Sequence, residues 1–267
     1  DFLFLPGNSG PLSDHALANR MSYFLWRQPP DESLRTLADE GKLKNNEILA
    51  DEIERLLGSK RSQAFVNDFV DQWLHLREFY ATQPDKHLFP EFYVEEGGKN
   101  FKDDPLLSQS MIAETRNFFA YLLKTNGNLL QFIDSDFTFM NQRLADFYQL
   151  PKVQGSTLQR VSLPQNSVRG GVLTQASVLK VTANGTQTSP VVRGVWIMEN
   201  ILGRKPLPPP PDAGSIDPDT RGTTTIREQL AKHQSSKSCA SCHSQIDPPG
   251  FALESFDPSG QFREFYR

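Results

Sequence analysis

The chain has 267 residues, enough for one large domain or two modest ones. With 28 Lys and Arg against 32 Asp and Glu, the formal net charge is −4, which argues against nucleic acid or an anionic membrane as a general partner. Mean hydropathy is −0.48, and no apolar run approaches the roughly 18–20 residues of a membrane span. Residues 1–10 read as an extended N-terminal tail, and residues 11–150 as a helical domain. Ser13-Asp14 starts a helix with apolar positions at Leu17, Met21, Phe24 and Leu25, which Pro29-Pro30 stops. Asp31 caps a short helix, Glu32 to Asp39. Ile48, Ile53, Leu56 and Leu57 mark the next helix, closed by Gly58. Phe65, Phe69, Val70, Trp73 and Leu74 mark a fourth, an aromatic-rich stripe that fits a core face. Residues 81–104 carry turn residues and few periodic apolars, so an irregular surface segment is expected there. Asp104-Pro105 opens a long helix through Met111, Ile112, Phe118, Phe119, Leu122 and Leu123, and Met140 to Tyr148 forms a last short one.

The texture changes after Pro151. Residues 151–205 read as a connecting segment whose helices pack toward the C-terminal module. Thr157 to Leu163 alternates as a short strand would, and Val172 to Val181 reads as helical. Asn184-Gly185 signals a turn. Ser189-Pro190 opens a helix with an apolar stripe at Val192, Val195, Trp196, Met198, Ile201 and Leu202, ended by Gly203. Residues 206–222 begin with a proline run that predicts a stiff polyproline II strut. Residues 223–267 then hold a polar helix, Thr223 to Lys237, running directly into Cys239.

The chain has two cysteines, Cys239 and Cys242, and both lie in Cys239-Ala240-Ser241-Cys242-His243. This is the C-x-x-C-H pattern of covalent heme attachment. Two thiols one helical turn apart can add to the two vinyl groups of a heme, and His243 then stands beneath the iron as its proximal ligand. A zinc knuckle would need four ligands, and a redox dithiol a strand-to-helix setting; neither context is evident. Heme c is attached only after export, so a periplasmic or extracytoplasmic location is expected. The chain opens at Asp1 with no signal-peptide pattern, as a mature or trimmed form would.

The second axial position is open to several readings. No Met or His comes after His243. Met198, on the last helix before the strut, and His233, six residues before Cys239, are the foremost candidates for a sixth ligand. Met21, Met111, Met140, His15, His75 and His87 complete the set, and water or another chain remains open. Downstream, a backbone carbonyl near Pro248 could accept the proximal histidine's other N–H, and Arg263 could pair with a heme propionate. Asp247, Glu254 and Asp257 read as turn or cap residues.

Several longer stretches carry a family resemblance. Leu12-Ser13-Asp14-His15-Ala16-Leu17-Ala18-Asn19-Arg20-Met21-Ser22-Tyr23-Phe24-Leu25-Trp26 resembles the opening of a domain of unknown function found in large exported proteins of planctomycetes and some gammaproteobacteria. Phe137 to Ala145 resembles its end. The adjoining domain of those proteins is similar to Arg169 to Leu179, Thr188 to Gly194, the proline run, and Cys239 through Asp257, including Ile246-Asp247-Pro248-Pro249-Gly250-Phe251. These are the planctomycete cytochrome-c-like families, and the resemblance covers nearly the whole chain. It implies one heme c tethered at Cys239 and Cys242 with His243 on the iron.

The expected fold is mainly α: an N-terminal helical domain followed by a cytochrome-c-like heme module with little or no β structure. The expected function is one-electron transfer with a redox partner protein, within or alongside a larger exported assembly. The alternatives are a heme enzyme or sensor with an open distal site, peroxidase-like or gas-binding, and a heme-bearing binding module of a surface assembly.

Overall fold

A computed structural model describes residues 10–98, 100–151, 153–206, 228 and 237–265, with the side chains of 237–239 excepted. The tail before residue 10, the proline strut and the polar helix expected before Cys239 lie outside the described residues, His233 with them. The chain divides into two compact units: residues 1–71 with 119–128, and residues 72–118 with 129–267.

The first unit is helical. It holds α1 (Asp14–Trp26), α2 (Glu32–Asp39), α3 (Asn46–Gly58) and most of α4 (Gln63–Trp73). Each of the first three starts on a side chain that accepts an orphan helix N–H: Ser13 from Ala16, Asp31 from Leu34, Asn45 from Glu47. Ala18, Leu25, Trp26, Leu34, Ala38, Leu43 and Leu56 form the core, with Met21 packed against it. The Trp26 indole N–H donates to the Leu56 carbonyl at 2.9 Å, so the ring is buried without stranding its donor. Asp14 is buried because its carboxylate accepts the Leu43 N–H at 2.8 Å. Helical spacing misleads most at Phe24, while Ile53 and Phe69, also read as apolar-face positions, are exposed too. Phe24 is 65% exposed and packs sideways on Phe65, centroids 5.0 Å apart, in a tilted cluster with Phe69 and Phe119.

The second unit corrects the all-helical expectation for residues 11–150. Residues 81–104 are ordered around Phe89 and Phe92, both buried, and carry an antiparallel hairpin, β1 (Tyr93–Glu96) with β2 (Asn100–Asp103). Its four-residue strands are mostly exposed and charged, so hydrophobic alternation had nothing to register. After α5 (Pro105–Thr125), residues Phe137–Met140 form strand β3, so Met140 ends a strand rather than opening the last short helix. Helix α6 (Gln142–Tyr148) begins only after the Asn141 cap. β3 is buried or half-buried at every position, which removes the period-2 signal. It pairs with β4 (Gln159–Ser162), within the stretch whose alternation predicts a strand. The molecule is nevertheless mainly α, with two small two-stranded sheets among the described residues.

A polar cluster sits in the core of this unit. Glu114, on α5, accepts from the Thr138 hydroxyl and the Tyr148 hydroxyl, each at 2.5 Å. Tyr148 in turn accepts the Ala176 N–H at 2.8 Å. Arg169 lies 3.6 Å over the Tyr148 ring and donates to the carbonyls of Thr174 and Gly260. Burial pushes the Glu114 carboxyl up to about 7, against the hydroxyl bonds and the Arg169 charge that favour its ionised form. Lys180 is also buried; its ammonium donates to the carbonyls of Phe79 and Thr82, and burial lowers it to about 8.

Glu114 makes stability depend on pH in a defined direction. The folded protein holds the proton to about pH 7, whereas the ordinary carboxyl value is 4.5. The stabilisation is therefore complete below pH 4.5, declines as pH rises, and is lost above about 7. The loss is about 3 kcal/mol, since one unit of pKa is about 1.4 kcal/mol. Lys180 acts in the opposite sense, with stability gained as pH rises through about 8. The urea midpoint of the wild type is expected to fall between pH 5 and pH 7, and that of Glu114→Gln to stay nearly constant. Parallel pH profiles for the two proteins would exclude Glu114 as the source.

Candidate functional site

The residues singled out by the cysteine motif lie on α9 (Lys237–Phe251), which packs against α8 (Pro190–Asn200) in the most extensive helix pairing among the described residues. Ser189 caps α8 by accepting the Val192 N–H, and Pro190 occupies the first turn. The buried face of α8 keeps only part of the apolar stripe read from sequence: Trp196 and Met198 are buried, Val192 and Leu202 are not. Val192 is 52% exposed, while Pro190, Arg193, Gly194 and Ile197 turn inward.

Glycine decides how close the two helices come. A Cβ on Gly194 would overlap the Ile246 carbonyl oxygen, and one on Gly250 would overlap the Pro190 carbonyl. Backbone therefore touches backbone at two points four residues apart, and 194 pairs with 246 as 190 pairs with 250. The helices run antiparallel. Continued by one turn, the same register sets Ile197 and Met198 level with His243 and Cys242. Met198 is buried on that turn.

Arg193 secures the segment beyond α9. Its guanidinium has no exposed surface and donates to the carbonyls of Leu253 at 2.6 Å and Phe256 at 2.7 Å. It lies 3.5 Å from the Glu254 carboxylate. Glu254 also accepts from Thr188 at 2.8 Å. Arg263 joins the same group, donating to Thr188 at 2.7 Å and to the Glu254 carbonyl at 3.1 Å. Arg263 is thus bound into the fold by partners that lie far from it in sequence or carry no mark of the pairing. Asp257 orders the next turn: its Oδ1 accepts from the Ser259 N–H and hydroxyl and from the Gln261 N–H. Gln261 reaches back to the Phe147 carbonyl at 2.9 Å, so the C-terminal segment is built into the core of this unit.

Within α9, Cys239 and Cys242 stand at i and i+3, on one face of the helix, and Cys242 is half-buried. His243 comes next, with its side chain 13% exposed. Its Nδ1 lies 3.0 Å from Oδ1 and 3.2 Å from Oδ2 of Asp247, whose side chain is 3% exposed. This overturns the expectation that a carbonyl near Pro248 takes the role. Pro248 is exposed, and its carbonyl accepts the Ala252 N–H at 3.3 Å. A carboxylate one turn along the same helix has displaced it. The signal was available, since His and Asp at i and i+4 face each other on a helix, but only once residues 243–247 are known to be helical.

The other sixth-ligand candidates are scattered. His15 pairs with Asp39 at 2.7 Å in the first unit, where Met21 is core. Met111 and Met140 are fully buried in the second unit. His87 is exposed and meets the Phe101 ring edge-on. On α8, the Trp196 indole N–H is buried with no hydrogen-bond partner among the described residues. A donor in that state suits a site that receives an acceptor from a bound group. Thiol, imidazole and buried carboxylate together fit the needs of a tethered heme. No helix among the described residues is long and apolar enough to cross a membrane.

The PSD4 family model, described as a protein of unknown function (DUF1592), matches residues 12–150, more than half of the chain. The PSCyt3 model, also described as a protein of unknown function (DUF1588), matches residues 169–266. No curated protein and no solved structure matches the chain.

The close approach of α8 and α9 is open to direct test. Gly194→Ala is expected to cost at least about 2 kcal/mol in urea unfolding, because neither backbone can yield without the other. Gly58→Ala, where a Cβ meets nothing within 4 Å, serves as the control and is expected to leave the midpoint close to wild type. Equal midpoints for the two variants would mean that the helices are not in backbone contact.

Proposed function

The chain belongs to the PSD4 family, and we propose that it serves as a c-type cytochrome, carrying one covalently attached heme for one-electron transfer in the periplasm. Cys239 and Cys242 would tether the ring and His243 would ligate the iron. When bound, the heme supplies a reversible one-electron couple. The chain's own residues hold the imidazole in place, and α8 packs beside the helix that bears the thiols.

The observation that carries this reading is the pairing of His243 Nδ1 with the buried Asp247 carboxylate. Metal-bound histidines are held in this way, with Nδ1 committed to an acceptor and Nε2 left to bond the metal. A histidine standing directly after a C-x-x-C pair has no equally economical explanation. The PSCyt3 match over residues 169–266 supports the reading through its cytochrome-like name. Met198 is the favoured sixth ligand among the described residues, as it lies level with Cys242 and is buried on α8. His233 stays a candidate, and a redox partner protein or neighbouring domain of an exported assembly would complete the pathway.

The same carboxylate favours a second reading, a heme enzyme or sensor with an open iron position. A basic proximal ligand pushes electron density toward the metal, which suits peroxide or diatomic gas chemistry.

One experiment separates these. The protein is matured in an exporting host, and optical spectra are taken oxidised, reduced, and reduced under carbon monoxide. One covalent heme with low-spin bands unmoved by carbon monoxide is expected. Bands that shift would select the open-site reading. The Cys239→Ser/Cys242→Ser double variant is expected to lose covalent heme. Wild-type material without heme would overturn both readings.

A further inference from the structure

The Asp247 carboxylate does more than orient a ring. It is 3% exposed, and both of its oxygens lie within hydrogen-bond distance of one imidazole nitrogen. It is carried on the same helix, one turn from His243, so the distance between them is fixed by α9 itself and not by a loop. Helix α8 holds α9 at two points: Ile246, the immediate neighbour of Asp247, meets Gly194, and Gly250 meets Pro190. Arg193 and Arg263, from α8 and the C-terminal segment, donate to carbonyls around Glu254 and lie within ion-pair distance of its carboxylate.

We propose that Asp247 is a positioning residue that sets the reduction potential of a heme bound at His243, holding the iron toward its oxidised state. This rests on the heme reading given above. Two effects act in the same direction. An Nδ1–H donated to a carboxylate gives the imidazole anionic character and makes Nε2 a stronger donor, which stabilises ferric iron more than ferrous. The carboxylate charge, shielded from water, also favours the more positive state of the iron by Coulomb attraction. A backbone carbonyl at the same place would supply the first effect weakly and the second hardly at all. The partner that reduces such a centre must itself be a strong one-electron donor. The partner that oxidises it need be only a mild acceptor.

The test compares holoprotein of the wild type, Asp247→Asn and Asp247→Glu, with covalent heme confirmed by mass for each. Asp247→Asn keeps an acceptor oxygen and removes the charge. At a fixed applied potential its ratio of reduced to oxidised heme is expected to rise at least ten-fold, an upward move of about 59 mV for one electron. Asp247→Glu restores the charge and is expected to recover part of that shift. A heme-loaded Asp247→Asn protein at the wild-type potential would overturn the proposal while leaving the heme reading intact. If that variant fails to mature, the wild type answers alone: in the cyanide-bound ferric protein, the His243 Nδ1 proton is expected to exchange slowly and resonate far downfield. Exchange at the solvent rate would overturn the proposal. Wild-type protein without heme would overturn the heme reading first, and this inference with it.

Discussion

Arg193 is fully buried, and a buried cation must be surrounded by acceptors or it unfolds its surroundings. The acceptors here are the carbonyls of Leu253 and Phe256, just beyond the end of α9, together with the Glu254 carboxylate. One side chain on α8 thereby anchors the chain where it leaves α9. The arrangement requires α8 to lie against α9 without side chains between them, which is why Gly194 stands beside Arg193 in sequence. Gly194 brings the backbones together, and Arg193, on the same face, closes on the loop after α9. The position of the Cys239-to-His243 segment depends on both.

The second unit uses buried polarity a second time, around Glu114. Thr138 comes from β3, Tyr148 from α6, Ala176 from the start of α7 (Ala176–Val181), and Arg169 from the segment before it. Arg169 then reaches Gly260 in the C-terminal segment. The two clusters therefore share that segment: Arg193 holds its beginning and Arg169 its end. Apolar burial alone would let such a loop slide, because it is indifferent to direction. Carbonyl-directed cations fix its course residue by residue.

The sequence made the chemistry more legible than the scaffold. Cys239, Cys242 and His243 stand out because covalent heme attachment would demand that spacing, and the four helices of the first unit follow from caps and periodicity. What escaped was set by partners far away in the chain. Arg193 looks like a solvent-facing residue in an apolar helix until the carbonyls at 253 and 256 are brought to it. β3 shows no period because it is buried or half-buried throughout, so its last residue, Met140, reads as the start of the helix that follows. The β1–β2 hairpin has too few buried residues to show a period at all. Arg263 was legible as a cation and not as part of a Thr188–Glu254 group, because that group exists only after folding.

Asp247 is the instructive case, because its partner is only four residues away. The run Ile246-Asp247-Pro248-Pro249-Gly250 looks like a turn, and two consecutive prolines argue for ending a helix before them. The structure continues α9 through them to Phe251. Proline removes its own N–H, so the carbonyls of Ser244 and Gln245 lose their usual helical donors, a cost the helix bears because α8 clamps it at Ile246 and Gly250. In return, Asp247 remains in helical register with His243. Had the helix stopped at the first proline, the carboxylate would be free to swing to water. The tertiary contact overrides the local breaker, and the override is what places a buried negative charge against the imidazole.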